Sequence, residues 1–270
     1  MKPKIVFLFS GQCRNSPFGL NHANRNLDIL DSYNTFIFTP EFKQLYSYKI
    51  YISTDDIHLD DVISYFSEEN IGNIHLLNTE LNTEYYLKPK PPNTKIPNIE
   101  YYLDKYNNYN IDWSIYDKYE NSIFQHYKIL DCYNLFMNDA DADADEYNYI
   151  IRLRMDTQFN SNITDYLALF DIYPESEIFM DYDLFAIGKP NIMNCFCNGL
   201  DNSYGNYNYQ VDVPEDVPIM KEYHFLEKKR WTYAPERQLF EMLFEYCNSQ
   251  NKDISQVIQS IHCCFINRFF

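Results

Sequence analysis

Ile5–Phe9, within KIVFLFSGQCR, is an apolar run of strand length without polar alternation, closed by Gly11. A strand with one wet face alternates. One that does not is buried on both faces, as happens in sheets covered by helices on either side. The chain beyond it continues the theme. A helix is predicted near 24–33, strands over 35–39, 48–53 and 73–77, and a short helix over 60–66. Strands alternating with helical patterns predict an α/β fold with a parallel or mixed sheet. Ile123, Tyr127, Leu130, Tyr133 and Met137 recur at spacings of three and four, one face of a long helix beginning at Glu120.

Residues 85–117 break this rhythm with Lys88-Pro89-Lys90-Pro91-Pro92, Pro97 and a Tyr/Asn-rich stretch. Lacking apolar material for a core of its own, the segment reads as an irregular insertion or lid. A chain of 270 residues is thus expected to form a single domain, 1–270, carrying that insertion.

Charge and cysteine usage remove several function classes. The net charge is −17, and the basic patches KPKPP and EKKR are short and interrupted, so nucleic acid is not an expected partner. The five-residue run Ile5–Phe9 is shorter than the about 7–15 residues of a signal-peptide core. No run approaches the ~20 apolar residues of a membrane span. Seven cysteines without framework spacing point to free thiols in a reducing compartment. The expected location is therefore cytoplasmic. The 26 Tyr against 6 Gly report an AT-rich genome, such as that of a giant virus or a protist; for a viral protein the location is the host cytoplasm.

Two tempting metal readings fail on spacing. An EF-hand loop needs Gly at its sixth position and Glu at its twelfth. In the acidic run 139–145, counting from Asp139 gives Ala144 and Ile150, and counting from Asp141 gives Glu146 and Arg152. The run reads as a solvated turn. The six histidines are scattered without an H-x-x-x-H spacing.

The chemistry concentrates in YNYIIRLRMDTQ, residues 147–158. In a strand, Ile151, Leu153 and Met155 share one face, while Arg152, Arg154 and Asp156 share the other with Ile150. Two guanidiniums and a carboxylate in an otherwise apolar strand are either a solvated outer face or a site. Buried charges require partners, which favours the site. Arginine offers a planar fork of donors suited to phosphate oxygens. Strand ends line the ligand crevice of an open α/β sheet, and Ser10-Gly11-Gln12-Cys13-Arg14 closes the first strand with a turn and a third arginine. Asp181 and Asp183 flank Tyr182 before the apolar run Leu184–Ile187, and Glu236 follows a helix-starting Pro235. Each could take a proton, or accept a hydrogen bond, from a substrate hydroxyl.

SGQCR after an apolar strand resembles the S-G-Q-x-R opening of a diffuse set of GT-A-like glycosyltransferases that includes lipopolysaccharide-core and giant-virus members. The long helix and YNYIIRLRMD resemble that set's Y-D-x-I-I-R-x-R-x-D segment. YDLFAIG (182–188) and PERQL (235–239) resemble its later strand and Glu-bearing helix. The resemblance implies a GT-A (Rossmann-like) mixed sheet flanked by helices. It also implies a nucleotide-diphosphate sugar donor such as a UDP-sugar, and a glycan, protein or small-molecule acceptor. Donor contacts fall to Ser10, Gly11, Arg14, Thr54, Arg152, Arg154 and Asp156, and catalytic roles to Asp181, Asp183 and Glu236. Asp156 stands at the DxD motif, where it would bind Mn2+ or Mg2+. Gln158 replaces the second carboxylate, which weakens that metal site and leaves the arginines to balance the diphosphate. The same departure keeps open a catalytically inactive, sugar-binding or scaffold version of the fold.

Overall fold

In the computed structural model, the residues described are 2–11, 23–54, 66, 70–76, 119–139, 146–155, 157–181, 183–199 and 235–266. β1 (Lys4–Ser10) leads to α1 (Ala23–Phe36), α2 (Pro40–Leu45), β2 (Ser47–Thr54) and β3 (Ile71–Leu76). The long α3 (Tyr119–Met137) precedes β4 (Tyr149–Arg154), the short β5 (Thr157–Phe159) and α4 (Ile163–Ile172). β6 (Ile178–Asp181) and β7 (Phe185–Gly188) form a hairpin. α5 (Pro190–Cys197), α6 (Pro235–Ser249), α7 (Ile254–Val257), β8 (Ile258–Ser260) and β9 (Cys264–Ile266) follow.

Seven strands form one sheet in the order β3-β2-β1-β4-β7-β6-β8, and β5 pairs with β9 apart from it. β3, β2, β1 and β4 are mutually parallel, and β6 is parallel to β8. β7 runs against both β4 and β6. The fold is therefore α/β with a mixed sheet flanked by helices, as the alternating pattern predicts.

Alternation along β1 and β4 divides the core in two. Ile5, Phe7, Phe9, Ile151, Leu153 and Met155 pack with α1, α2 and α4. Val6, Leu8 and Ile150 pack on the other face with α3, α5 and α6. Phe7 lies at the centre of an aromatic group, its ring 5.1 Å from Phe38, 5.7 Å from Phe42 and 5.9 Å from Tyr48. Burying such a ring contributes about 1.5–3 kcal/mol.

The predicted strand at 35–39 is absent. α1 runs to Phe36, and the amides of Ile37 and Phe38 both donate to Tyr33 O at 2.8 Å. Thr39 then caps α2, its Oγ1 accepting from Phe42 N at 3.1 Å, with Pro40 at the first helical position. Phe36-Ile37-Phe38 fills the core from a helix end, and an apolar run of that length carries no periodicity to tell the two apart.

α3 buries Tyr127, Leu130 and Tyr133 of its predicted stripe, Tyr133 entering a core cluster with Ile129, Cys132 and Phe136, whereas Met137 is 45% exposed at the helix end. Asp139 is no solvated residue, since it accepts from Tyr51 Oη at 2.7 Å and pairs with Lys49. The predicted insertion at 85–117, the rest of the acidic run at 140–145 and all of 60–66 except the buried Phe66 lie outside the described residues.

Candidate functional site

The four parallel strands present polar side chains at their carboxyl ends. Register pairs Ser10 with Ser53, Ser53 with His75, and Ser10 with Arg154. These four residues therefore form a row across the carboxyl ends of β1, β2, β3 and β4, on the face that α3 covers. The chain passes from β1 to β2 and β3 on one side and returns to place β4 on the other. The sheet thus switches direction between β1 and β4, where open α/β sheets leave a crevice at the strand ends. Ser10 and Gly11 end β1 at this point, beside Arg152 and Arg154 of β4. Gly11 donates its amide to Ser53 O at 3.2 Å with φ +120. Room exists for a side chain there, the nearest atom to a Cβ being Met155 N at 4.0 Å, so the backbone angle alone calls for glycine.

Arg152 is 1% exposed and Arg154 8%, which rules out a solvated outer face. Arg152 Nε donates to Ser10 Oγ at 3.1 Å, and its Nη1 donates to the carbonyl of Asp183. Arg154 Nη1 reaches Asp183 Oδ2 at 2.6 Å, and Gln125 Nε2 donates to the same oxygen at 2.5 Å. Burial pushes the Asp183 carboxyl up. The Arg154 and Arg152 guanidiniums, with the donors of Gln125 and Arg154, outweigh it and hold the group below its ordinary value.

Local structure explains how Asp183 arrives there. The β6–β7 turn is closed by Leu184 N donating to Asp181 O at 3.0 Å, and Arg154 N donates to Leu184 O at 3.0 Å. The antiparallel β7 thereby sets its turn against the carboxyl end of β4. From the other side Tyr33 Oη donates to Arg154 O at 3.2 Å.

The two aspartates flanking Tyr182 separate. Asp183 joins the arginines. Asp181, 3% exposed, accepts from Cys263 N at 2.9 Å, and His262 Nδ1 lies 3.7 Å from its other oxygen, so it ties the hairpin to the segment after β8. Thr54 is fully buried at the end of β2. Glu236 lies in the first turn of α6, and its side chain is outside the described residues. Arg14 and Asp156 fall outside them altogether. Among the described residues, no group of three or more His, Cys, Asp or Glu side chains gathers to hold a metal ion. The guanidinium of Arg154 and the amide of Gln125 both donate to Oδ2 of the nearby Asp183 carboxylate.

Helix α3 supplies residues the strand pattern does not reveal. Gln125 meets Asp183, and Asp131 accepts from Ser53 Oγ at 2.6 Å and contacts His75 Nδ1 at 2.9 Å. The signal is Gln125, Lys128 and Asp131 at successive three-residue spacings on a helix that also carries an apolar stripe. Beside them Cys132 Sγ lies 3.3 Å from Tyr51 O and 3.5 Å from Phe9 O. Burial drives its thiol well above the ordinary value, which makes it a poor nucleophile.

No protein-family model matches the chain, and no curated protein matches it. Among solved structures it is similar to mouse xyloside xylosyltransferase 1 in its apo form, at TM-score 0.44 and 9% identity, covering 97% of this chain and 85% of that one. Among the described residues, no helix is long and apolar enough to cross a membrane.

Proposed function

We propose that the chain is a glycosyltransferase that takes a sugar from a nucleotide-diphosphate donor, such as a UDP-sugar, to a glycan, protein or small-molecule acceptor. The observation that carries this reading is the position of Arg152 and Arg154. Two buried guanidiniums stand beside Ser10 and Gly11 at the switch point of the sheet, in a chain of net charge −17. Buried arginine forks at a strand-end crevice suit a diphosphate. The SGQCR, RLRMD, YDLFAIG and PERQL motifs add their family resemblance.

Within this reading Ser10, Gly11, Arg14, Thr54, Arg152, Arg154 and Asp156 surround the donor, and Asp156 is the residue that would bind Mn2+ or Mg2+. Asp183 positions the arginines, because a carboxylate held below its usual range is a poor proton acceptor. Asp181 braces the hairpin, which leaves Glu236 as the carboxylate for the acceptor hydroxyl. Residues 85–117 would close over the site. The second reading is a ligand-binding domain without transfer activity. Gln158 at the second DxD position favours it, as does the pairing of Arg154 with Asp183.

A thermal-shift panel of UDP-, GDP- and CMP-sugars, with and without manganese, tests the first reading. A ligand at a hundred times its Kd stabilises the native state by about 2.7 kcal/mol. A selective hit followed by slow donor hydrolysis supports transfer. A hit without hydrolysis or transfer supports the second reading, and no hit from any nucleotide removes both.

A further inference from the structure

We propose that Gln125 is a positioning residue for the donor site, acting on the arginines through Asp183 without touching the ligand; this rests on the nucleotide-diphosphate reading above. Gln125 lies in α3, and its Nε2 donates to Asp183 Oδ2 at 2.5 Å. Arg154 Nη1, from β4, donates to the same oxygen at 2.6 Å. One carboxylate oxygen is thus held from two elements, by residues 58 and 29 positions earlier in the chain.

These contacts fix different parts of Asp183. Its backbone is set by the sheet, since its carbonyl accepts from Arg152 Nη1 and the turn is closed by Leu184 N on Asp181 O. The carboxylate can still rotate about its side-chain bonds. Two donors on one oxygen, arriving from a helix and a strand, take that freedom away. The side chain is 5% exposed, so the protein's own donors do this in place of bulk water.

The residue type fits the task. A carboxylate only accepts, so the nitrogen end of the Gln125 amide faces it. Burial pushes the Asp183 carboxyl up, and Arg154, Arg152 and then the Gln125 amide bring it below its ordinary value, so Gln125 meets the charged form. A neutral amide orients that charge and adds none of its own. Lysine there would add a cation beside the arginines, and glutamate would oppose the carboxylate. Without the amide, Asp183 gains a second orientation, and the guanidinium of Arg154 that pairs with it is fixed less firmly. Ordering one such side chain at the moment of binding weakens affinity about two- to tenfold.

The experiment is calorimetry of UDP and inorganic pyrophosphate on folded wild type, Gln125→Ala and Gln125→Glu, between about pH 5 and 8, with melting temperatures alongside. Gln125→Ala is expected to weaken both ligands by the same factor, about two- to tenfold. Gln125→Glu sets two carboxyl groups against each other, and such a pair retains one proton well above the ordinary carboxylate range. Among the described residues, the charged groups facing that pair are Arg152 and Arg154. The affinity of Gln125→Glu relative to wild type should be near one at the acid end, where the proton is shared, and fall as pH rises and the proton leaves. Taking the ratio cancels the ligand's own titration. A residue that only holds the fold together would lower the melting temperature and leave both affinities and the ratio unmoved. Unchanged or tighter binding in Gln125→Ala, or a flat ratio for Gln125→Glu, overturns the inference and leaves the arginine site standing. Weakening of UDP with pyrophosphate unchanged overturns it as well, because Gln125 would then touch the nucleoside. Should Gln125→Ala not fold, the isosteric Gln125→Glu decides alone. If wild type binds neither ligand, the donor site falls and the positioning role with it.

Discussion

Arg154 Nη1 sits 2.6 Å from Asp183 Oδ2, a guanidinium at the carboxyl end of β4 meeting a carboxylate delivered by the β6–β7 turn. The two side chains are 10% and 5% exposed. Removing one partner of such a pair costs about 3–5 kcal/mol, because the other charge is left buried. Asp183→Ala is expected to lose that much in urea unfolding. Asp183→Asn should lose less, since its carbonyl still accepts from Arg154. A wild-type midpoint in both variants would show that the pair contributes nothing.

The same contact predicts an acid-sensitive contribution to stability. Burial raises the Asp183 carboxyl, but Arg154, Arg152 and the neighbouring donors bring it below its unfolded value. The stabilisation is complete above the unfolded pKa, about 3.9. It is lost as pH falls through the lower folded value. Urea midpoints of wild type should decline over that acid range more steeply than those of Asp183→Asn. Parallel profiles for the two proteins would contradict the assignment.

Ligand affinity separates the arginines from a purely internal network. A charge-assisted hydrogen bond is worth about 1.5–3 kcal/mol, roughly ten- to over a hundredfold in affinity. Arg152→Ala and Arg154→Ala should weaken UDP binding by that factor. Arg154→Lys should recover only part of the loss, because lysine keeps the charge but not the fork. Calorimetry is the check. Three variants that bind UDP as the wild type does would confine these arginines to holding the hairpin.

Gly11→Ala isolates a backbone effect. Among the described residues the nearest atom to the added methyl is Met155 N at 4.0 Å, yet φ +120 is a region an alanine rarely enters. The expected cost is about 1–3 kcal/mol, read by thermal or urea unfolding. A neutral substitution would mean that the turn after β1 relaxes freely.

Core and surface hydrophobics should diverge just as clearly. Phe7→Ala removes a fully buried ring and should cost about 3–5 kcal/mol. Ile172→Ala, at a residue 63% exposed, should stay within about 0.5 kcal/mol. Similar urea midpoints for the two would mean that the aromatic group around Phe7 is not the core it forms here.

How far the fold could be read beforehand depended on the kind of signal. Arg152 and Arg154 sit on the face opposite Ile151 and Leu153, as a period of two requires, because nothing but the strand itself decides it. The misplaced strand at 35–39 failed because Phe36, Ile37 and Phe38 fill the core from the end of α1. The partner of the arginines was hidden for another reason. Asp183 stands 29 residues beyond Arg154, and only the reversal of β7 brings it back. Asp131 and Gln125 reach the sheet across a helix whose packing the stripe of apolar residues alone did not orient.

That reversal also orders assembly in time. β6 and β7 are joined by a short turn, so their pairing closes a small loop and can form early. β1 and β4 must find each other across about half of a 270-residue chain, as when Arg152 meets Ser10 at a separation of 142. Such distant parallel pairings are slow to form. The hairpin therefore exists as a local unit before the strand it will brace is in place. A chain halted at that stage holds Asp183 but has no assembled pair of arginines against Ser10. Under the proposed reading, diphosphate binding is acquired only once β1 pairs with β4, and pyrophosphate binding during refolding would report that closure.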